Sequence, residues 1–160
     1  MSRISIEKPH YKFLKKPTSA DLNVGDFISN VVVDKAQDVY LYDLIINRHL
    51  ILTFFDTECS SCEEAMNNIK SFATKNPHIN IVSFIHTTDD VFQLLDEYYN
   101  NSPRVYRLAK EIINEELKIY SFPKGITINE IGQVLHIEIL GPEYVYDFLK
   151  IPLRKLLPNN

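Results

Sequence analysis

A nearly continuous apolar run, HLILTFF from His49 to Phe55, interrupts an otherwise mixed stretch of the chain. A run without polar alternation suits a strand buried on both faces, as in a parallel sheet covered by helices. The period then changes. In CEEAMNNIKSFATK, residues Cys62, Ala65, Met66, Ile69, Phe72 and Ala73 recur at helical spacing, and Glu63 and Glu64 fall in the first turn, where carboxylates suit the helix dipole. Asn76 and Pro77 end this helix, and INIVSFIH, Ile79 to His86, predicts a second buried strand. Strand, helix, strand is the unit of a parallel sheet.

Upstream, VGDFISNVVVDKAQDVYLYDLI predicts a short hairpin around the polar turn KAQD, then a turn of helix near Asp43. Residues 1 to 20 place Lys8, Lys12, Lys15 and Lys16 between Pro9 and Pro17 without periodicity and read as an extended, solvated arm, which leaves 21 to 160 as the domain. Downstream, a helix is expected over Asp89 to Tyr99, a break at NNSP, a short extended piece near Val105 and Tyr106, and a helix around Lys110 to Leu117. KGITINEIGQVLHIEIL reads as two strands around the turn NEIG, and EYVYDFLKIPLRKLL as a terminal helix interrupted at Pro152.

Composition narrows the function classes. At 160 residues and 45% hydrophobic, the chain can bury a core without disulfide staples. Seventeen basic against 21 acidic residues, a net charge of -4, give no electrostatic footprint for nucleic acid or an anionic membrane surface. Protein or small-molecule partners are expected. No segment has the roughly 18 or more consecutive apolar residues of a membrane span, and MSRISIEKPHYKFLKKPTS lacks the apolar centre of a signal peptide. A cytoplasmic monomer is expected for the chain as given, with an extracytoplasmic or membrane-associated setting as the alternative for a trimmed chain.

Both cysteines lie in ECSSCEEA, directly after the first buried strand. A bridge between Cys59 and Cys62 closes too small a loop to act as a useful staple. Redox chemistry, half a metal site, or two core cysteines remain. The carboxyl end of a parallel strand, followed by a helix N-terminus, collects ligands and stabilises a thiolate, the form that attacks a disulfide. On that reading Cys59 is the nucleophile, and Cys62, one turn later and closer to the packed side, resolves the mixed disulfide. Ser60 and Ser61 can donate hydrogen bonds to sulfur, whereas an ionised Glu58 would oppose the thiolate.

The order FF-x-x-x-CxxC opening a helix, with NVGDFISNVVVD and YLYDLI upstream and IYSFPKGITINEIGQVL downstream, resembles the thioredoxin superfamily, in particular its TlpA/ResA-like thiol-disulfide oxidoreductases. The resemblance spans about Val24 to Leu149. It implies an α/β thioredoxin-like fold: a central mixed sheet flanked by helices, an N-terminal β-hairpin, and a helix-bearing insertion after the second core strand. It also implies a cis peptide bond between Phe122 and Pro123 beside the sulfurs, with Phe122 presenting backbone groups to a substrate peptide and Pro123 shaping the groove. No cofactor is implied beyond the Cys59/Cys62 dithiol, and the partners would be protein or peptide disulfides and a redox partner. More weight falls on the reductant direction, because a reducing cytosol keeps such a dithiol reduced.

The sequence departs from that pattern. Glu58 stands where many relatives have Trp, and Thr53 occupies the position of the buried Asp of thioredoxins proper. Proton handling then falls to Glu58, Asp56 or water, and Thr53 reads as a core strand residue with a satisfied hydroxyl. An alternative is a metal-binding module in which the thiolates and His86 or His136 hold copper or zinc, although the usual copper-delivery spacing is CxxxC. A peroxiredoxin-like peroxidase fits less well, because Asp56 stands where its motif needs Thr or Ser. His86 and His136 otherwise read as surface or structural residues, and Tyr98, Tyr99, Tyr106 and Tyr120 as packing.

Overall fold

The computed structural model of the protein describes residues 21 to 157, so the expected arm over 1 to 20 lies outside the described residues. The strands are β1 (Val32–Asp34), β2 (Val39–Tyr40), β3 (His49–Asp56), β4 (Ile81–His86), β5 (Arg104–Arg107), β6 (Lys124–Asn129) and β7 (Val134–Ile139). The helices are α1 (Cys62–Lys75), α2 (Asp89–Tyr99) and α3 (Glu143–Lys150). β1 and β2 form the expected hairpin, followed by a 3-10 turn at Leu41–Leu44. The other five strands make one mixed sheet in the order β5-β4-β3-β6-β7, with β3, β4 and β5 parallel and β6 and β7 antiparallel.

β3 is buried along its whole length, as its unbroken apolar run requires. Leu50, Leu52 and Phe54 point into a core shared with Val82, Phe84, Ile126 and the N-terminal hairpin. Ile51 and Phe55 point to the other face, where they meet Ile69 and Phe72 of α1 and Tyr146 and Leu149 of α3. All six apolar positions assigned to the inner face of α1 are buried. On this face the centre of the sheet carries a row of small or polar residues in register, Ser83, Thr53 and Gly125. A Cβ at Gly125 would lie 2.8 Å from Leu149 and 2.9 Å from Leu140, so the missing side chain lets these leucines sit against the sheet. Thr53 is fully buried, and its Oγ1 lies 2.6 Å from Ser83 Oγ.

Two details differ from the expectations above. β4 begins at Ile81 because Ile79, although buried, closes the turn after α1 through its N–H to Asn76 O at 3.0 Å. The helix expected around Lys110 to Leu117 is wider in its ladder: Ile112–Glu116 is a π-turn, with Leu117 N–H bonded to Ile112 O at 3.0 Å. The extended piece near Val105 and Tyr106 is a sheet strand, β5, aligned with β4. Asn100 and Asn101 stop α2 in left-handed conformations, φ 48° and 64°, which asparagine adopts more readily than most residues. Pro152 falls in a 3-10 turn, Ile151–Leu153, that follows α3. Among the described residues no helix is long and apolar enough to cross a membrane.

Candidate active site

β3 delivers the chain to the carboxyl edge of the sheet at Asp56, and α1 begins at Cys62. The loop between them is organised by Asp56, which is buried. Its backbone carbonyl accepts Cys59 N–H at 3.0 Å and its Oδ1 accepts Glu58 N–H at 2.9 Å. Its other carboxylate oxygen lies 3.3 Å from Lys110 Nζ. Cys59 O in turn accepts Cys62 N–H at 3.1 Å, which closes the turn leading into α1.

The two thiols are free and occupy unlike surroundings: Cys59 is partly exposed, and Cys62 is 1% exposed beneath it. Burial pushes the Cys59 thiol up, but hydrogen bonds from the side chains and backbone of Cys62 and Ser61 outweigh it, and the net shift is downward. Ser61 Oγ lies 3.2 Å from the Cys59 sulfur, one of the serine contacts expected from the sequence. Burial pushes Cys62 up to about 12; a backbone hydrogen bond from Asp56 opposes this, and the neighbouring Cys59 and Asp56 charges add to the rise. The pair thus offers one accessible thiol biased towards the thiolate and one protonated thiol held in reserve.

On the β6 side, the Phe122–Pro123 peptide bond is cis, and Phe122 O lies 3.6 Å from Cys59 Sγ. Pro123 O is occupied by Leu140 N–H at 3.1 Å. A second cis bond, Ser102–Pro103, precedes β5 and had no signal in the sequence reading. On the β4 side, a groove of about 450 Å³ opens at the cysteines, with Met66, Leu95, Tyr98 and Tyr99 among its walls.

Of the remaining candidates, Glu58 is exposed and touches Asp56 through its backbone. His86 meets the loop by its backbone carbonyl, which accepts Thr57 N–H at 3.2 Å. His136 sits opposite Thr127 on β7 and pairs with Glu138 at 2.7 Å. Among the described residues no group of three or more His, Cys, Asp or Glu side chains is placed to hold a metal ion. Lys110 was not singled out from the sequence, since nothing local marks its pairing with Asp56.

Comparison with solved structures matches this arrangement of elements. The solution structure of a thiol:disulfide interchange protein from Bacteroides sp. is 16% identical, covers 81% of this chain and 90% of its own, and superposes with a TM-score of 0.64. The chain has the thioredoxin fold. The thioredoxin domain of a thiol-disulfide oxidoreductase from Bacteroides vulgatus matches 82% of the chain and 99% of its own at 17% identity and TM-score 0.62. A secreted Mycobacterium tuberculosis disulfide oxidoreductase matches 78% of the chain and 94% of its own at 14% identity and TM-score 0.59. No protein-family model and no curated protein sequence matches the chain. Within the thioredoxin fold found here, β5 and the π-turn lie in the segment expected as an insertion after the second core strand, and they place Lys110 beside Asp56.

Proposed function

We propose that the protein is a thiol-disulfide oxidoreductase that exchanges electrons with disulfides in proteins or peptides through Cys59 and Cys62, written here in the reducing direction. The asymmetry of the pair carries this reading: a partly exposed thiol lowered in pKa, a buried one raised to about 12, and a backbone carbonyl 3.6 Å from the exposed sulfur. The Cys59 thiolate attacks one sulfur of the substrate disulfide. The substrate S–S bond breaks, a Cys59–substrate disulfide forms, and the departing substrate thiolate takes up a proton. Cys62 then loses its proton and attacks Cys59 Sγ, releasing the second substrate thiolate, which is protonated in turn. The substrate gains two electrons and two protons; the protein is left with a Cys59–Cys62 disulfide, which a dithiol partner reduces.

Asp56 is the best placed group to accept the Cys62 proton, through water, because it is buried at the base of the loop and its charge acts on that thiol. Glu58, the other carboxylate considered, is exposed and lies at the mouth of the site. Phe122 O and the Pro123 turn flank the sulfur where an extended substrate backbone would run. Three solved neighbours named for thiol-disulfide chemistry support the activity. The secreted mycobacterial protein among them supports the extracytoplasmic setting over the cytoplasmic expectation, which removes the reducing-cytosol ground for the reductant direction; the exchange steps are reversible and run either way according to the partner's potential.

Trapping tests the assignment. Cys62→Ser, incubated with an oxidised disulfide protein such as insulin, is expected to accumulate a covalent mixed disulfide through Cys59, visible by intact mass and released by dithiothreitol. Cys59→Ser is expected to form none. Equal trapping by both variants, or by neither, would overturn the assignment.

A further inference from the structure

The groove between α1 and α2 opens at Cys59 on the side away from Phe122, and its outer walls, Met66, Leu95, Tyr98 and Tyr99, take no part in the chemistry above. Its volume, about 450 Å³, falls among sites of roughly 300–1,000 Å³ that engulf a ligand. Its walls are held in place. Tyr99 is buried, and its hydroxyl donates to Met66 O at 2.7 Å, which ties the end of α2 to α1. Tyr98 packs edge-on against Tyr99 with centroids 5.1 Å apart, while Lys70 lies 4.4 Å over its ring and donates to its backbone carbonyl. Tyr98 nonetheless remains 47% exposed. A fixed, partly exposed aromatic wall is the usual seat of an apolar anchor at a binding surface.

Charge identifies what lies next to that anchor. Glu58 and Glu63 stand at the groove, both exposed, and neither forms an ion pair with a described residue. The nearby cations are already engaged, Lys70 on Tyr98 and Lys110 on Asp56. The groove therefore presents an apolar floor with an uncompensated negative rim, a surface complementary to an apolar side chain beside a basic one. Cys59 and Cys62 themselves line it, so a substrate linked to Cys59 and running past Phe122 on one side of its cysteine has this groove beside the other.

Resting on the oxidoreductase reading, we propose that this groove selects the substrate: it binds the segment of a protein flanking the target cysteine and prefers a bulky apolar residue next to Lys or Arg.

The test uses the full, reduced chain and peptides closed by one disulfide that differ only at two adjacent positions, placed before one cysteine in one series and after it in another: Leu-Lys, Gly-Lys, Leu-Glu and Gly-Glu. The second-order rate constant for single-turnover reduction of the Leu-Lys peptide is expected to lie about tenfold above that for Gly-Glu, with the two mixed peptides between. Tyr98→Ala is expected to erode the Leu preference, and the surface change Glu63→Gln the Lys preference. Hydroxyethyl disulfide, which has no side chain to seat, reports the chemistry alone. Equal rates for all four peptides, with hydroxyethyl disulfide still reduced, would overturn the groove's role and leave the oxidoreductase reading standing. If no disulfide is reduced, both fail.

Discussion

Asp56 Oδ2 lies 3.3 Å from Lys110 Nζ, and the carboxylate side chain is only 5% exposed while the lysine is 45% exposed. The lysine lies at the start of the helical segment that leads into the π-turn; the aspartate ends β3 and bonds the loop that presents Cys59. A contact across the fold therefore helps hold the carboxylate that bonds the loop leading to Cys59. Removing the lysine leaves a buried carboxylate short of its partner, which destabilises a protein by about 3–5 kcal/mol where the pair is fully buried. With the lysine half in water, Lys110→Met is expected to cost about 1–2 kcal/mol by urea denaturation.

Asp56→Asn keeps an oxygen for Glu58 N–H but cannot accept a proton. We expect the resolving step, attack of Cys62 on the mixed disulfide, to slow by about 10²-fold at pH 7. Stopped-flow release of the second substrate thiol measures it, and an unchanged rate would reassign the proton to Glu58 or to water alone.

The two thiols should alkylate in a fixed order. Iodoacetamide is expected to label Cys59 first, with a midpoint on the pH profile below the ordinary thiol value, while Cys62 stays unlabelled until strongly alkaline pH. Ser61→Ala removes a hydrogen bond that favours the Cys59 thiolate, so its midpoint is expected to move up. Peptide mapping after timed quenching resolves the two sites.

Alkali should unfold the reduced protein early. Burial holds the Cys62 thiol at about 12 and raises Tyr99 and Tyr146, so the folded chain keeps protons that the unfolded chain loses above about pH 9. Their contribution is complete below the unfolded values and is lost as pH rises through the folded ones. Tyr146→Phe removes one such group along with its hydrogen bond to Ala65 O at 2.6 Å. It is expected to cost about 1 kcal/mol at pH 7 and to flatten the decline above about pH 10, as read by denaturant midpoints.

The polar row under α1 and α3 is structural. Thr53→Val leaves the buried Ser83 hydroxyl unpaired and should cost about 1–3 kcal/mol, while adding Ser83→Ala should recover most of it. Gly125→Ala forces a Cβ against Leu149 and Leu140 and is expected to cost about 1–3 kcal/mol. Thermal unfolding of the single and double variants separates the two effects.

Much of this arrangement could be read along the chain because its signals are local. The unbroken apolar run of β3, the helical spacing from Cys62 to Ala73, and the proline and glycine at the last hairpin each report on neighbours in sequence. Thr53 reads as a core strand residue with a satisfied hydroxyl, and Ser83 on the neighbouring strand is its partner. Contacts that depend on the fold left no such trace. Lys110 is one lysine among many until β5 and the π-turn carry it to Asp56. Tyr98 and Tyr99 are adjacent and look equivalent, yet one is buried between helices and the other forms an exposed wall, a difference set by how α2 leans on α1. The π-turn itself keeps a helical pattern and differs only in which carbonyl each N–H reaches.

The central claim is that Cys59 and Cys62 act as one two-electron couple. Equilibrating the protein in defined thiol buffers, trapping it with an alkylating reagent and counting labels by mass measures this directly. The expected result is a single two-electron transition, from both cysteines labelled to neither, whose midpoint then gives the direction of exchange. Labelling that stays at two cysteines at every potential, or that changes by one label at a time, would contradict it.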